Sequence, residues 1–143
     1  MCMTISFNKA DANATLANRV ALKSFIEKKV KKEGYSIDSL IYVFCSDKYL
    51  LKINKDFLSH DYYTDIISFD LSEVPGQLIG EVYISVDRVK DNAKTHGTSL
   101  KEELHRVIFH GALHFCGYKD KKPSDAKKMR QMEDAWLSAY MKL

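Results

Sequence analysis

The residues of this chain best suited to chemistry lie in the segment HGALHFCGYKD, between positions 110 and 120. His110 and His114 are four residues apart, so in a helix both imidazoles project from one face and can aim at one point. Gly117 stands where such a helix would end, because glycine readily adopts the left-handed conformation that follows many helices. A chain that turns at Gly117 can bring Asp120 back beside the two histidines.

Two imidazoles and one carboxylate form a ligand set for a divalent cation. The set suits zinc with a fourth position left for water, and it also occurs as the facial triad of non-haem iron. Gly111 follows His110, so this is not the H-E-x-x-H motif of zinc proteases. The spacing also fits a pair of core histidines with an unrelated surface aspartate, and taken alone it leaves that interpretation open.

Glycine at position 111 is a second signal in the same helix. A glycine in a helix interior costs about 1 kcal/mol relative to alanine. Its presence beside a candidate ligand indicates that another part of the molecule approaches the helix closely at this point.

The neighbouring sequence predicts the helices that carry these residues. Ser99 has Glu102 at the spacing of a capping box, which predicts that a helix begins there and includes both histidines. Pro123 predicts the start of the last helix, which runs to about Met141.

The other elements follow from hydrophobic periodicity and turn residues. Strands are expected near residues 3–7, 39–45, 65–71 and 78–86, and helices near 13–32, 46–57 and 87–97, the last capped by Asp87. The order βαβαββααα, with one hairpin-like connection, predicts an α+β fold of mixed α/β layers. It would contain about four strands in a mixed sheet and about five helices, with the metal site at the end of a helix.

Composition limits the class of protein. The chain has 143 residues, a net charge of +3 and 45% hydrophobic residues, which predicts one globular domain over residues 1–143. It has neither a membrane-spanning apolar run nor the start of a signal peptide, so we expect a cytoplasmic protein. Its three cysteines are scattered, without a C-x-x-C pair, which argues against a thiolate zinc site or a disulfide framework. Cys116 is expected to be a buried, inert thiol.

Several other residues have structural interpretations. His105 lies about 140° around the helix from His110, so it is expected to pack or form a hydrogen bond rather than bind metal. His96 is expected to lie at a helix end. Met129, Met132 and Trp136 are expected to form a core stripe on the last helix. The lysine-rich run EKKVKKEG, at residues 27–34, is typical of a solvated last helical turn rather than a nucleic-acid patch.

Three segments resemble the YbeY family of metal-dependent endoribonucleases, the rRNA maturation factors. HGALHFCGYKD is similar to the family signature H-G-x-L-H-L-x-G-Y-D-H, with matches at His110, Gly111, Leu113, His114, Gly117 and Tyr118. NKDFLSHDYYTDIISF is similar to N-x-x-Y-R-x-K-D-x-P-T-D-V-L-S-F, with matches at Asn54, Asp61, Thr64, Asp65, Ser68 and Phe69. GEVYIS, from Gly80, resembles the strand G-D-I-x-I.

The resemblance implies a set of site residues and also shows two departures. It implies that His110, His114 and Asp120 bind one Zn²⁺ per chain, with other divalent metals not excluded. Asp120 stands where the family has its third histidine ligand, and an oxygen donor is acceptable to zinc. Leu58 replaces an arginine that would suit a phosphate. Position 60 often holds a lysine in the family, so His60 could carry part of that charge. His60 and Asp65 are the two candidates for a catalytic role beyond a metal-bound water.

The resemblance also implies a function. It predicts a single-strand-specific, metal-dependent endoribonuclease that acts in 16S rRNA processing of the small subunit and in ribosome biogenesis, with RNA and the ribosome as partners. The alternative is a ribosome-assembly factor that binds RNA through a structural metal without cleaving it. The loss of arginine at Leu58 favours the second function, whereas an open fourth coordination position favours the first.

Overall fold

The computed structural model describes residues 4–60 and 63–143. Asp61, one of the positions shared with the YbeY motif, lies outside the described residues, as does Met3, the expected start of the first strand. The elements are β1 (Thr4–Lys9), α1 (Arg19–Lys32), β2 (Ser36–Cys45), α2 (Asp47–Leu58), β3 (Ile66–Asp70), β4 (Gln77–Ser85), α3 (Val86–His96), α4 (Leu100–Phe115) and α5 (Pro123–Met141).

The strands form a mixed sheet in the order β1-β2-β4-β3. β1, β2 and β4 are parallel to one another, whereas β3 pairs antiparallel with β4 at the edge. The turn between β3 and β4 contains Gly76 with φ of 83°, in the region that glycine favours. This α+β architecture confirms the predicted fold class and the predicted hairpin.

One face of the sheet is covered by α1 and α4, and α5 packs against both of these helices, so the main core extends through these layers. Leu40, Tyr42 and Phe44 alternate along β2 and point into this core. The ring of Phe109 on α4 is fully buried, and its centroid lies 5.4 Å from that of Phe25 on α1 and 5.7 Å from that of Trp136 on α5. α4 is therefore held by packing in the middle of the molecule.

The opposite face of β3 and β4 is covered by α2. Leu50 packs there with Cys45 and Ile67, and the rings of Phe69 and Tyr83 lie beside this smaller cluster. Ile67 and the core residue Ile66 are adjacent in β3, so their side chains point to opposite faces of the sheet. The two faces of β3 thus contact different helices, α2 on one side and α4 on the other.

Two helix starts differ from the sequence predictions. α1 begins at Arg19 rather than near residue 13, because Asn18 adopts a left-handed conformation and its side chain accepts a hydrogen bond from the N–H of Ala21. The cap of α3 is Ser85, whose hydroxyl accepts from the N–H of Arg88, and Asp87 lies in the first turn. In both cases a short polar side chain caps the helix, but periodicity did not identify the residue.

Other structural expectations are confirmed. Met129 and Trp136 are buried in the core, and Met132 packs against it. Cys116 is buried, and burial raises the pKa of its thiol to about 12. Within residues 4–60 and 63–143, no helix is long and apolar enough to cross a membrane.

Candidate metal centre

The C-terminus of α4 reverses the chain just after the second histidine. Gly117 has φ of 94°, and its N–H donates to the carbonyl of His114 at 3.0 Å. The N–H of Tyr118 donates to the carbonyl of Leu113 at 3.2 Å, which completes a Schellman motif. The predicted helix end at Gly117 is confirmed, and the reversal directs Asp120 back along α4.

This reversal brings His110, His114 and Asp120 together. One potential ligand atom from each of the three residues lies within 4.8 Å of the other two. Nε2 of His110 is 3.1 Å from Oδ2 of Asp120, and Nε2 of His114 is 3.5 Å from the same oxygen. Two imidazole nitrogens and a carboxylate oxygen at these separations could hold a metal ion.

The second nitrogen of each imidazole is engaged by the protein. Nδ1 of His114 lies 3.0 Å from the carbonyl oxygen of Tyr118, which can only accept a hydrogen bond. Nδ1 is therefore the protonated nitrogen of the neutral ring, and Nε2 keeps its lone pair for a cation. Nδ1 of His110 lies 2.6 Å from Oε2 of Glu133 on α5. Such outer contacts fix the tautomer and the ring orientation of histidine ligands.

Glu133 is held in turn by a buried ion pair. Its side chain is 7% exposed, and Nη1 of Arg106 donates to Oε1 of Glu133 at 3.0 Å. Nη2 of Arg106 also donates to Oδ1 of the exposed Asp134 at 2.7 Å. The chain Arg106–Glu133–His110 therefore anchors one candidate ligand to α5.

Charges around the cluster perturb the pKa values of both histidines and of Asp65. Burial opposes the charged form of His110, but the hydrogen bond to Glu133 and the nearby carboxylates raise its pKa above the usual value. Burial and the neighbouring His110 lower the pKa of His114. Burial raises the pKa of Asp65. A site with three perturbed groups has the electrostatic character of a functional centre.

Close packing of α4 on the sheet positions the cluster. A Cβ at Gly111 would lie 3.0 Å from a methyl group of Val82 and 3.3 Å from Ile66, so the missing side chain lets the helix approach β3 and β4. At Gly80, a Cβ would lie 2.5 Å from the ring of Phe115, which occupies that space. The close approach predicted at Gly111 is confirmed, and the approaching element is the sheet.

The candidate ligands face an open cleft of about 620 Å³ between α4 and the edge strand β3. Thr64 and Asp65 line it, and so does Ser68, whose buried hydroxyl has no hydrogen-bond partner among the described residues. Lys121 contributes a positive charge to the same wall. A polar, partly charged cleft beside the three donor atoms fits a hydrated cation with a charged ligand.

Comparison with known proteins identifies the family. The family model described as endoribonuclease YbeY matches residues 4–141. The chain belongs to the YbeY family. It is 53% identical over 135 residues to the endoribonuclease YbeY of Cytophaga hutchinsonii, covering 94% of each chain. It is 43% identical over 136 residues to that of Flavobacterium johnsoniae, covering 95% of this chain and 96% of the relative. The YbeY family is a family of hydrolases, and this chain is an enzyme of that class.

A solved structure has the same fold as this YbeY chain. The solution structure of a Thermotoga maritima protein superposes with a TM-score of 0.62, covering 96% of this chain and 89% of its own, at 24% identity. At 24% identity, this structural similarity establishes the shared fold only.

The remaining residues named from the YbeY motifs lie in different places. Asp65 lines the cleft, whereas His60 and Leu58 are not among the described residues that line it. Leu58 ends α2 and is 38% exposed. His105 packs at 5.2 Å between ring centroids against Tyr140 and contacts the carbonyl of Lys101, as expected for a structural histidine.

Glu133 was not identified by sequence reasoning, although the YbeY sequence contains a signal for it. It follows Met129 by four residues and precedes Trp136 by three, so it lies on the apolar face of α5. A carboxylate on a buried helix face requires a partner, and here the partners are Arg106 and His110.

Proposed function

We propose that this YbeY chain is a single-metal endoribonuclease that cleaves single-stranded RNA. The observation that supports this most strongly is the convergence of three donor atoms in an open cleft, with the other nitrogen of each histidine already engaged. The relatives named endoribonuclease YbeY supply the reaction class.

In this proposal Zn²⁺ is held by Nε2 of His110, Nε2 of His114 and a carboxylate oxygen of Asp120. The donor set fits zinc, which accepts nitrogen and carboxylate ligands and leaves a position open in catalytic sites. When bound, the cation would polarise a phosphoryl oxygen and make a coordinated water more acidic. Glu133 would keep the ring of His110 oriented through its hydrogen bond to Nδ1.

Asp65 is the residue that we assign to proton transfer. It lines the same cleft as the candidate ligands, and burial raises its pKa toward the range useful for a base near neutral pH. Its carboxylate would accept the proton of the attacking oxygen, from water or from the neighbouring 2′-hydroxyl. His60 has no comparable position, so we do not propose it as a catalytic residue.

Lys121 would supply the positive charge that the family's arginine provides elsewhere. Leu58 cannot pair with a phosphate, whereas Lys121 lines the cleft one residue beyond Asp120. A lysine ammonium binds phosphate as a point charge, without the bidentate geometry of arginine.

The cellular role is part of the same proposal and rests on the family resemblance. The substrate would be 16S rRNA during maturation of the small ribosomal subunit, with the ribosome as the setting and the cytoplasm as the compartment. We propose that residues 1–143 act as one domain, since a common core cluster includes residues from β1 to α5.

The experiment combines metal analysis with RNA cleavage. Metal content would be measured by inductively coupled plasma mass spectrometry on untagged protein, and cleavage would be followed on an end-labelled single-stranded rRNA fragment. About one equivalent of zinc and metal-dependent cleavage are expected for the native chain. Asp120→Ala should lose both, whereas Asp120→His, which restores the histidine of the family motif, should keep both.

Two outcomes would contradict the proposal. Full cleavage by Asp120→Ala would exclude this residue from the ligand set. One equivalent of metal without any RNA cleavage would instead favour the assembly factor with a structural metal.

A further inference from the structure

A second open cavity, of about 800 Å³, lies along α2 on the side of the sheet opposite α4. Three lysines and two tyrosines contribute to its wall, and we call it the α2 groove: Lys48, Lys52, Lys55, Tyr49 and Tyr63. Asp11 also lines it, but both of its carboxylate oxygens accept hydrogen bonds from Ser46. The proposed reaction at the metal centre does not use this groove.

The lysines of the α2 groove form a line of positive charge. Their spacing of four and three residues places Lys48, Lys52 and Lys55 on one face of the helix. All three are exposed, and Lys48 and Lys52 form no ion pair with any residue that the structure describes. A row of lysines at this spacing matches the regular negative charge of a nucleic-acid backbone.

The tyrosines provide exposed rings beside these charges. Tyr49 is 40% exposed and Tyr63 is 56% exposed, although both side chains are large. The guanidinium of Arg88 lies 5.4 Å from the centroid of the Tyr63 ring and adds positive charge there. Lysines for phosphates together with aromatic rings for bases are the combination that binds single-stranded nucleic acid.

The walls of the α2 groove and the metal cleft are formed in part by neighbouring residues of the chain. Tyr63 lines the groove, while the next two residues, Thr64 and Asp65, line the cleft. Consecutive Cα atoms are about 3.8 Å apart, so these lining residues lie close together, just before the edge strand β3. A strand whose reacting phosphate lies at the metal centre would therefore need only a short further length to reach the groove.

We propose that the α2 groove binds the part of a single-stranded RNA substrate that extends beyond the cleavage site. Lys48, Lys52 and Lys55 contact phosphates, and Tyr49 and Tyr63 stack on bases. An acidic polypeptide would match the lysines but would leave both exposed rings without planar partners. The inference rests on the proposed endoribonuclease function and adds an extended substrate site to it.

The test compares RNA lengths and lysine variants. 2′-O-methyl RNA single strands of about 4 and about 15 nucleotides, within the range of known single-strand sites, would be titrated with zinc-loaded protein and followed by fluorescence anisotropy, and gel electrophoresis would check that the strands stay intact. The variant is Lys48→Gln/Lys52→Gln. The matched control is Lys28→Gln/Lys32→Gln on α1, an exposed pair with the same spacing and charge change on the other face of the sheet.

The salt dependence of RNA binding provides a quantitative test of the lysine contacts. Each phosphate contact contributes about 0.7 to the slope of log Kd against log salt for a single strand. Lys48→Gln/Lys52→Gln should lower that slope by about 1.4 for the long RNA, and should leave binding of the short RNA unchanged. The α1 control should match the native chain with both lengths.

A second variant tests stacking independently of charge. Tyr49→Leu removes the aromatic ring and should weaken long-RNA binding by at least about fivefold, the change that corresponds to about 1 kcal/mol of stacking. Tyr49→Phe keeps the ring and should bind like the native chain.

The outcomes separate this inference from the proposed function. If the native chain cleaves RNA but the groove variants bind the long strand as it does, the groove inference is wrong and the endoribonuclease proposal stands. If the native chain cleaves no RNA, the proposed function is wrong, and the binding comparison still tests the groove. Displacement of the long RNA by polyglutamate as effectively as by unlabelled RNA would overturn the inference and indicate an acidic polypeptide.

Discussion

Glu133 links one candidate metal ligand to the body of the protein. It accepts from Arg106 through one oxygen and contacts Nδ1 of His110 through the other, and it is almost fully buried. Histidine ligands lose basicity and orientation when such a partner is removed. Metal affinity should therefore depend on a residue of α5 that does not itself face the cation.

Glu133→Gln should lower zinc affinity by about 10- to 100-fold. The amide keeps the volume of the side chain but removes the charge that favours proton donation from His110. The measurement is calorimetric zinc titration with a competing chelator, which does not rely on activity. Asp134→Asn is the control, because Asp134 contacts Arg106 but not His110, and its zinc affinity should stay native.

Asp65→Asn should abolish most cleavage and stabilise the metal-free protein at neutral pH. Burial raises the pKa of Asp65, so its charged form opposes folding at pH values above that pKa and its neutral form does not. The gain in Tm over the native chain should be present at pH 7 and should shrink as the pH falls through the raised pKa. Loss of the proton acceptor should lower the cleavage rate by about 10²- to 10⁴-fold.

Thermal unfolding of EDTA-treated protein across pH, together with cleavage rates, tests this prediction. Asp70→Asn is the control for a change at another acidic residue of the cleft, and it should retain most activity. A lower Tm for Asp65→Asn at pH 7 would show that the native carboxylate is stabilising, contrary to the burial argument.

Residue types and spacing were sufficient to predict part of the site. His110 and His114 were found because helical spacing places them on one face, and Gly117 because a helix end favours glycine. Glu133 was missed because its partner His110 is distant in sequence, and local patterns carry no information about such a contact. The ligand role of all three cluster residues stays a prediction until metal binding is measured.

At the scale of elements, the end of α4 has two separable properties, its stability and the direction of the chain beyond it. Gly117 has φ of 94°, and Gly34 at the end of α1 has the same value. A Cβ added at Gly117 would lie 3.7 Å from the hydroxyl oxygen of Tyr35, and a Cβ added at Gly34 would have no atom within 4 Å. The two positions therefore form a matched pair for testing backbone strain alone.

Gly117→Ala and Gly34→Ala should each reduce the free energy of unfolding by about 1–2 kcal/mol, the cost of a left-handed conformation for a residue with a Cβ. Only Gly117→Ala should also weaken zinc binding, because relaxation of its strain moves Asp120 relative to the two histidines. Urea unfolding and zinc titration of both variants are the measurements. Equal loss of zinc affinity in both variants would contradict a specific role for the α4 turn.

Element boundaries were predicted well where a cap or turn residue was distinctive. Ser99, Pro123 and Gly97 mark the observed helix ends, whereas α1 starts later than its apolar spacing suggested. Periodicity extends before Arg19 because Leu16 also packs against the core from a non-helical segment. In this segment the spacing of apolar residues indicates which side chains are buried, and a buried side chain can also lie in a non-helical segment.

At the scale of the whole molecule, the sequence predicted the fold class but not the order of the strands. The antiparallel edge position of β3 depends on long-range pairing with β4, and it brings Asp65 next to α4. Residues 63–65, which precede β3, contribute to the walls of both the metal cleft and the α2 groove. These juxtapositions arise from tertiary packing, for which local sequence patterns give no signal.

Metal removal distinguishes a catalytic cation from one that holds the fold together. The main core consists of apolar side chains from elements along the whole described chain, including β1 and α5, so its packing does not depend on a bound cation. Chelation should therefore leave the far-ultraviolet circular dichroism unchanged at 25 °C while RNA cleavage is lost. Zinc at about 100 times its Kd should stabilise the protein by about 2.7 kcal/mol, a rise in Tm of roughly 5–10 °C for this size. Unfolding on chelation would contradict this prediction and identify the cation as part of the fold.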